Sequence, residues 1–487
     1  MPCIPDTTVG RTALGRWREY LLRPVDGASL AAFRILFGII LFWEVARYFA
    51  HGWIASYYSE PAFHFTYPLL PFLKPWPGNG MEIHFAALGV LALMIALGLC
   101  YRLASCLFLL GFTYVFFLDE TYYLNHFYLV ILFSFLLCVV PAHRVASLDR
   151  WLFFRNRPPV VPQWSVFLLR SQVFIVYFFA GLAKLNPDWL RGWPLRLWLP
   201  KHSQLPLVGD VLASVWAPLL FSYGALVFDL SIGFLLAWRR TRPAAIMLAA
   251  CFHAMNSQLF HIGIFPYLAF AATLIFDDPD WPRRVGRAVA HVFSRRTAAG
   301  RALPARPTSV TPATAPRLQT LGLVLLHLYL LFQVLVPLRH WLYPGFVSWT
   351  DEGHRFSWHM MLRNKRAQLH VYVTFPATGH TEEVVLSEEL TKRQEDEMSV
   401  RPDMVRQYAH HVADRLSEPG QARPVVRVDE RVSLNGRPYQ PIIDPTVNLA
   451  DVPFTLGVVD WILPLETPLP GGGDGDKRPS EPAIPRE

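Results

Sequence analysis

The sequence predicts an all-α polytopic membrane bundle of about nine transmembrane helices, with a small non-cytoplasmic α/β domain at the C-terminal end. Three observations predict it. Of the 487 residues, 53% are hydrophobic and only 17% charged, against roughly a quarter charged in soluble domains. Nine apolar stretches approach the about 20 residues that a bilayer crossing needs. Beyond the ninth, the texture changes to short alternating segments. Lipid in place of water over much of the surface accounts for the scarcity of charge and for the mean hydropathy of +0.27. The net charge of +8 resembles a nucleic-acid signal. The arginines, however, lie between apolar segments, which is the pattern of cytoplasmic membrane loops, and no nucleic-acid partner is expected.

The chain opens with a cytoplasmic stretch, residues 1–28, that carries Arg11, Arg16, Arg18 and Arg23. No cleavable signal is evident, and the first apolar run reads as a retained span. The spans fall near Ser29–Ala50, Ile83–Cys100, Leu103–Leu118, Leu124–Val140, Val166–Ala183, Val211–Trp238, Pro243–Phe260, Ile262–Phe276 and Gln319–Leu338. With a cytoplasmic N-terminus, every even-numbered span ends in a basic loop. Arg102 follows the second and Arg144, Arg150, Arg155 and Arg157 the fourth. Arg239, Arg240 and Arg242 follow the sixth, and a run from Arg283 to Arg306 follows the eighth. The opposite loops are poorer in Lys and Arg; His51–Glu82 holds only Lys74. Nine spans then leave the C-terminal domain outside the cytoplasm.

The membrane domain therefore covers residues 29–343, interrupted by a cytoplasmic linker at about 281–318 whose Arg295–Pro316 segment reads as flexible. Residues 344–467 form the outer α/β domain. Gln368–Phe375 alternates and is rich in Val and aromatics, so it reads as a strand; Ser387–Arg415 reads as a charged helix, and Pro424–Leu434 and Tyr439–Ile443 as further strands. Residues 468–487, rich in Gly, Pro and charge, read as a disordered tail. Cys3, Cys100, Cys106, Cys138 and Cys251 lack metal-ligand spacing, so neither a zinc site, nor any other metal, nor a disulfide framework is expected.

Polar residues in the apolar segments locate a candidate site. Asn125 and His126 open the fourth span and Lys184 closes the fifth. His253, Asn256, Ser257, Gln258 and His261 end the seventh. All fall at the non-cytoplasmic membrane level, and polar groups there are costly unless they pair or line a cavity. A single pocket follows. Lys184 comes after the apolar run Val173–Leu182, where desolvation favours a free amine able to act as a base. Its position fits equally a lysine snorkelling from a helix end. His126 fits a group hydrogen-bonded to a substrate oxygen, or an ordinary interfacial histidine. His253 and Asn256 share a helix face and fit either a site or an interhelical contact. Arg34, Glu44, Arg170 and Asp229 read as structural charges paired within the bundle, with a transporter relay as the sharper alternative.

At these residues the sequence resembles the vitamin K-dependent γ-glutamyl carboxylases. Leu169–Trp189 (LRSQVFIVYFFAGLAKLNPDW) is similar to the segment that carries that family's catalytic lysine, and Phe252–Phe265 (FHAMNSQLFHIGIF) to another family segment. Gly98–Ala104 (GLCYRLA) and Leu118–Leu129 (LDETYYLNHFYL) resemble the region of its functional histidine. Phe33–Gly38 (FRILFG), Ser357–Met361 (SWHMM) and Ile442–Pro445 (IIDP) extend the similarity over about Arg23 to Pro445. The resemblance implies an HTTM-like membrane domain with Lys184 as catalytic base and His126 as the second catalytic residue. Asn125, His253, Asn256 and Gln258 would bind the quinol. The implied activity oxidises reduced vitamin K, a lipid naphthoquinol, with O2 to the epoxide and adds CO2 to glutamate in a peptide or protein, within a lipid bilayer. The alternatives are a quinol epoxidase acting on something other than glutamate, and a non-catalytic transporter or lipid-binding homologue.

Three departures stand out. The animal enzymes pair two lysines where this chain has Ala183 and Lys184. His359 stands where the family more often has an acid. The long C-terminal portion of the animal enzymes has no counterpart, so propeptide-directed, processive modification is not implied. The Arg-, Ala- and Pro-rich composition fits a bacterial inner membrane better than the endoplasmic reticulum. Reporter fusions after Arg306 and after Asp460 are expected to give opposite signals; equal signals would overturn the nine-span topology.

Overall fold

A computed structural model describes residues 12–206, 208–293 and 316–470. Cys3, Arg11, nearly all of the expected linker Arg295–Pro316 and the tail from residue 471 onward lie outside the described residues. All nine apolar stretches are helical. They are α1 (Ala28–Ala50), α2 (Gly80–Leu97), α3 (Tyr101–Leu118), α4 (Asn125–Val139), α5 (Gln163–Ala183), α6 (Ala217–Ala237), α7 (Arg242–Leu259), α8 (Phe265–Thr273) and α9 (Pro316–Leu338).

Six of them, α1, α2, α3, α5, α6 and α9, are long and apolar enough to cross a membrane, while α4 and α8 are shorter apolar helices. Their brevity has local causes. The α3–α4 connection is a buried 3-10 turn, Glu120–Tyr122, capped by the Asp119 side chain on the Thr121 N–H. Before α8 the chain turns through Gly263 at a φ of 57° and restarts at Phe265, with Pro266 in the first turn. In α7, Arg242, His253 and Asn256 dilute the apolar sequence. The expected sixth span is interrupted as well: a short helix, Gly209–Ala213, precedes α6.

Small residues set the closest helix approaches, as they do where lipid offers no hydrophobic drive between helices. A Cβ on Gly38 of α1 would lie 2.6 Å from the Ala92 carbonyl oxygen of α2. One on Gly181 of α5 would lie 2.8 Å from the Leu230 backbone nitrogen of α6. Buried charges are met within the bundle, as expected. Arg34 donates to the Ile95 and Ala146 carbonyls, Arg170 to those of Ile275 and Asp277, and Glu44 pairs with Arg47 at 2.6 Å.

The C-terminal domain holds an antiparallel sheet of order β2-β1-β3-β4, from β1 (Lys365–Thr374), β2 (Thr381–Glu383), β3 (Val425–Leu434) and β4 (Gln440–Pro441). The central pair sets Leu369 opposite Glu430. The single helix expected over Ser387–Arg415 is two, α10 (Lys392–Met398) and α11 (Pro402–Arg415). A Thr391–Gln394 capping box starts α10, and Pro402, which lacks an N–H, can only begin a new helix. Tyr408 and Val412 of α11 pack on Val371, Val426 and Val428 of the sheet.

Among the contacts that fasten the domain to the bundle is a buried ion pair. Asp188 accepts both Nη atoms of Arg437 and the Asn435 amide, all at 2.7 Å. Breaking a buried pair by removing one partner typically costs about 3–5 kcal/mol, because the other charge is stranded. Asp188→Leu is therefore expected to lower Tm by several degrees, and Asp188→Leu combined with Arg437→Met to recover much of the loss. An unchanged Tm in the single variant would refute the fastening role.

Candidate active site

Lys184 ends α5. The Asn186 side chain accepts the Trp189 N–H at 3.0 Å and donates to the Ala183 carbonyl at 2.9 Å, and Pro187 starts a short helix, so the chain turns sharply after the lysine. The ammonium is thereby directed inward. Nζ lies 2.6 Å from Asp229 Oδ2 of α6, donates to the Ala180 carbonyl at 3.3 Å and sits 5.2 Å from the Trp189 ring centre. Lys184 is 6% exposed and Asp229 5%. A snorkelling lysine would reach outward, so that alternative fails. The partner comes from the Gly181–Leu230 approach, one helical turn away on α5 and one residue away on α6.

The pair lies in the wall of a cavity of about 980 Å³. Asn125, His126, His253 and Asn256 line the same cavity. Gln258 does not; it is exposed. Two residues beyond Asn256, it points about 160° away from that side chain on the helix. Ser257 bonds back to the Ala254 carbonyl of its own helix at 2.7 Å.

Hydrogen bonding separates the engaged groups from the free ones. Asn125 accepts the Tyr123 hydroxyl at 3.1 Å and donates to the His359 carbonyl at 3.2 Å, tying the bundle to the C-terminal domain. Thr273 donates to the Ala269 carbonyl and so must accept from Tyr177; Tyr177, its one proton used, accepts from His253 Nε2 at 2.6 Å. His253 Nδ1 is then an acceptor, and it has no partner. The rings of Phe228 and Phe252 stack at 3.9 Å beside it. No hydrogen bond engages the His126 ring or the Asn256 amide among the described residues.

Among the lining residues not assigned to the site from sequence are Glu44, Arg47, Asp229, His359 and Arg393. Asp229 was visible as an intramembrane acid that needed a base, but not which helix would supply it. His359 and Arg393 come from the C-terminal domain, whose docking no local pattern announces. His359 is 5% exposed and neither ring nitrogen has a partner. Burial first, then His340 and Arg363, push its imidazole down to about 3.

Size and lining fit a naphthoquinol with its isoprenoid tail: a largely apolar, aromatic chamber with few convergent polar groups. The HTTM domain family model matches residues 22–281, more than half of the chain. That of the vitamin K-dependent gamma-carboxylase, lumenal domain, matches residues 318–468. The chain belongs to the vitamin K-dependent γ-carboxylase family. As a member of that family it is an integral membrane protein of carboxylase type, and membership implies reduced vitamin K, O2 and CO2. No solved structure matches it.

In this carboxylase-family chain the neutral His359 has a consequence for stability. The unfolded chain takes up the imidazole proton near about 6.5, the folded one only near about 3. The contribution of the neutral ring is thus complete above the higher value and is lost as pH falls toward the lower. Tm is expected to drop between pH 7 and 4, and less steeply in His359→Gln. Parallel profiles for the two proteins would contradict this.

Proposed function

We propose that the protein is a vitamin K-dependent γ-glutamyl carboxylase, coupling epoxidation of reduced vitamin K by O2 to addition of CO2 at the γ-carbon of peptidyl glutamate. One observation carries the reading: Lys184 and Asp229, paired at 2.6 Å, are buried in the wall of an apolar cavity that also holds His126. The bound naphthoquinol supplies, on oxidation, the strong base for the γ-proton.

The chain's own residues do the rest. Nζ and Oδ2 are close enough to share one proton, and burial of both opposes separated charges. With that proton on Asp229, Lys184 is a free amine and takes the proton of a phenolic hydroxyl. One proton leaves the hydroxyl, one arrives on Nζ, and Asp229 keeps its own. His126 and Asn256, free of other partners, hydrogen-bond the oxygen where charge develops, while Asn125 holds the His359 segment against the bundle. The apolar remainder of the chamber keeps out water, which would quench a strong base. The same reading keeps α4, α7 and α8 as crossings beside the six longer helices, with the N-terminus cytoplasmic and the C-terminal domain outside.

Purified protein given reduced vitamin K, O2, labelled bicarbonate and a Glu-containing peptide is expected to form epoxide and labelled peptide together. Lys184→Ala, compared as protein that is folded and inserted, should reduce both by about 10²- to 10⁴-fold, the usual contribution of general base catalysis. Lys184→Arg should fail likewise, since a guanidinium stays protonated. A small exogenous amine should restore part of the alanine variant's activity. Epoxide without labelled peptide would assign the base to another substrate. Wild-type turnover by Lys184→Ala would sink the mechanism.

A further inference from the structure

The charged groups in the cavity wall do not balance. Glu44, Arg47, Lys184, Asp229 and Arg393 line it. Arg47 is paired with Glu44 and Lys184 with Asp229, each at 2.6 Å. Arg393, on the first turn of α10, has no acidic partner within 4 Å among the described residues. Its own helix offers none: Glu395 and Asp396 pair with Lys392 at 3.4 and 3.0 Å, and Glu397 with Arg401 at 2.7 Å. Asp119, the acid behind Tyr122, is held by His64 Nδ1 at 3.1 Å and Gln394 Nε2 at 3.2 Å.

What holds Arg393 is aromatic. Its Cζ stands 5.2 Å from the ring centre of Tyr122 and 5.5 Å from that of Tyr57, and those rings stack on each other at 4.2 Å. A cation over a ring face keeps its N–H groups free at the edge of the guanidinium plane. Among the described residues the buried Tyr122 hydroxyl has no hydrogen-bond partner. The unpaired charge thus stands over the ring that carries the unmade hydrogen bond. Arg393 itself is exposed, so the spot is where the chamber opens beside the C-terminal domain.

We infer that Arg393 and the Tyr122 hydroxyl form a carboxylate-binding site at the cavity mouth, taking a side-chain carboxylate of the acidic peptide substrate. A guanidinium offers two parallel N–H groups to such a group, and the phenol a third donor. One surplus positive charge matches a monoanion; a phosphate dianion would overcompensate it in apolar surroundings. The quinol, uncharged, does not require the arginine. The inference rests on the glutamyl-peptide reading above.

Direct binding tests it apart from the chemistry. Fluorescence anisotropy of a labelled Glu-containing peptide, with its Glu→Gln counterpart as control, is measured on the full-length protein in detergent. Wild type is expected to prefer the Glu peptide by about 10- to 100-fold, the worth of a charge-assisted hydrogen bond pair. R393Q should abolish that preference, Y122F should weaken it, and the KM for the Glu peptide should rise in R393Q ahead of any change in kcat. Should R393Q fail to fold, R393K serves: severalfold weaker Glu-peptide binding with unchanged Gln-peptide binding supports the site. A preference retained in R393Q or undiminished in R393K, or absent in the wild type, overturns it. Loss of the Lys184 mechanism alone would leave the binding result standing, and the two failures are therefore distinguishable.

Discussion

Opposite charges in hydrocarbon must meet, and the packing of α5 on α6 puts Lys184 against Asp229. The approach at Gly181, where even a methyl group would collide with the Leu230 backbone, draws the two helices together just where both carry a charge. Gly233, about one turn beyond Asp229 on α6, repeats the device, receiving the Phe174 ring within 2.4 Å of where its Cβ would be. Either residue alone would strand its partner in a medium that solvates neither. Arg34 and Arg170, farther from the cavity, are met differently, by carbonyls at helix ends. Among the described charges of the bundle, the Lys184 pair and the Arg47–Glu44 pair are the ones that line the chamber.

The C-terminal domain is fitted to this bundle at the same level. Asp188, four residues beyond Lys184, is clamped by Arg437 and Asn435, and the turn between is closed by Asn186. The segment bearing the lysine is thus held from both sides, by α6 within the bundle and by the sheet domain outside it. Asn125, next to His126, bonds the His359 carbonyl in the same way. The chamber is therefore walled partly by lipid-embedded helices and partly by a water-facing domain. On the proposed function, such a wall would let a lipid quinol approach from the bilayer side and a peptide from the domain side.

Much of this was legible in the sequence because periodicity and hydropathy are local. Each of the nine apolar stretches is a helix, and both long strands lie where alternation put them. Asn125, His126, Lys184, His253 and Asn256 were grouped by depth alone, and depth is what an apolar span encodes. What could not be read is what depends on azimuth or on docking. Gln258 shares the depth of Asn256 but faces the other way. Asp229 was taken for a structural charge because its place in the span gives no hint of the neighbouring helix. His359 and Arg393 reach the chamber only through the placement of the C-terminal domain, fixed by contacts such as Asp188 to Arg437, which lie 249 positions apart.

The residue before the lysine bears on the proposed mechanism. Ala183 stands where the animal enzymes carry a second lysine, and a second cation there invites the view that it tunes the first. Here the position does not face the chamber: Ala183 packs against the cluster of Trp189, Leu195 and Leu199. The group that touches Lys184 is instead a carboxylate. A fixed anion would by itself hold the lysine as ammonium, the wrong form for a base. An anion able to take the proton does the opposite, because the pair can pass from ammonium–carboxylate to amine–acid without moving a heavy atom. The proposed mechanism uses the second form, which leaves no separated charges between the two groups. On that proposal, the acid that pairs with the lysine is also the one that takes its proton and frees the amine.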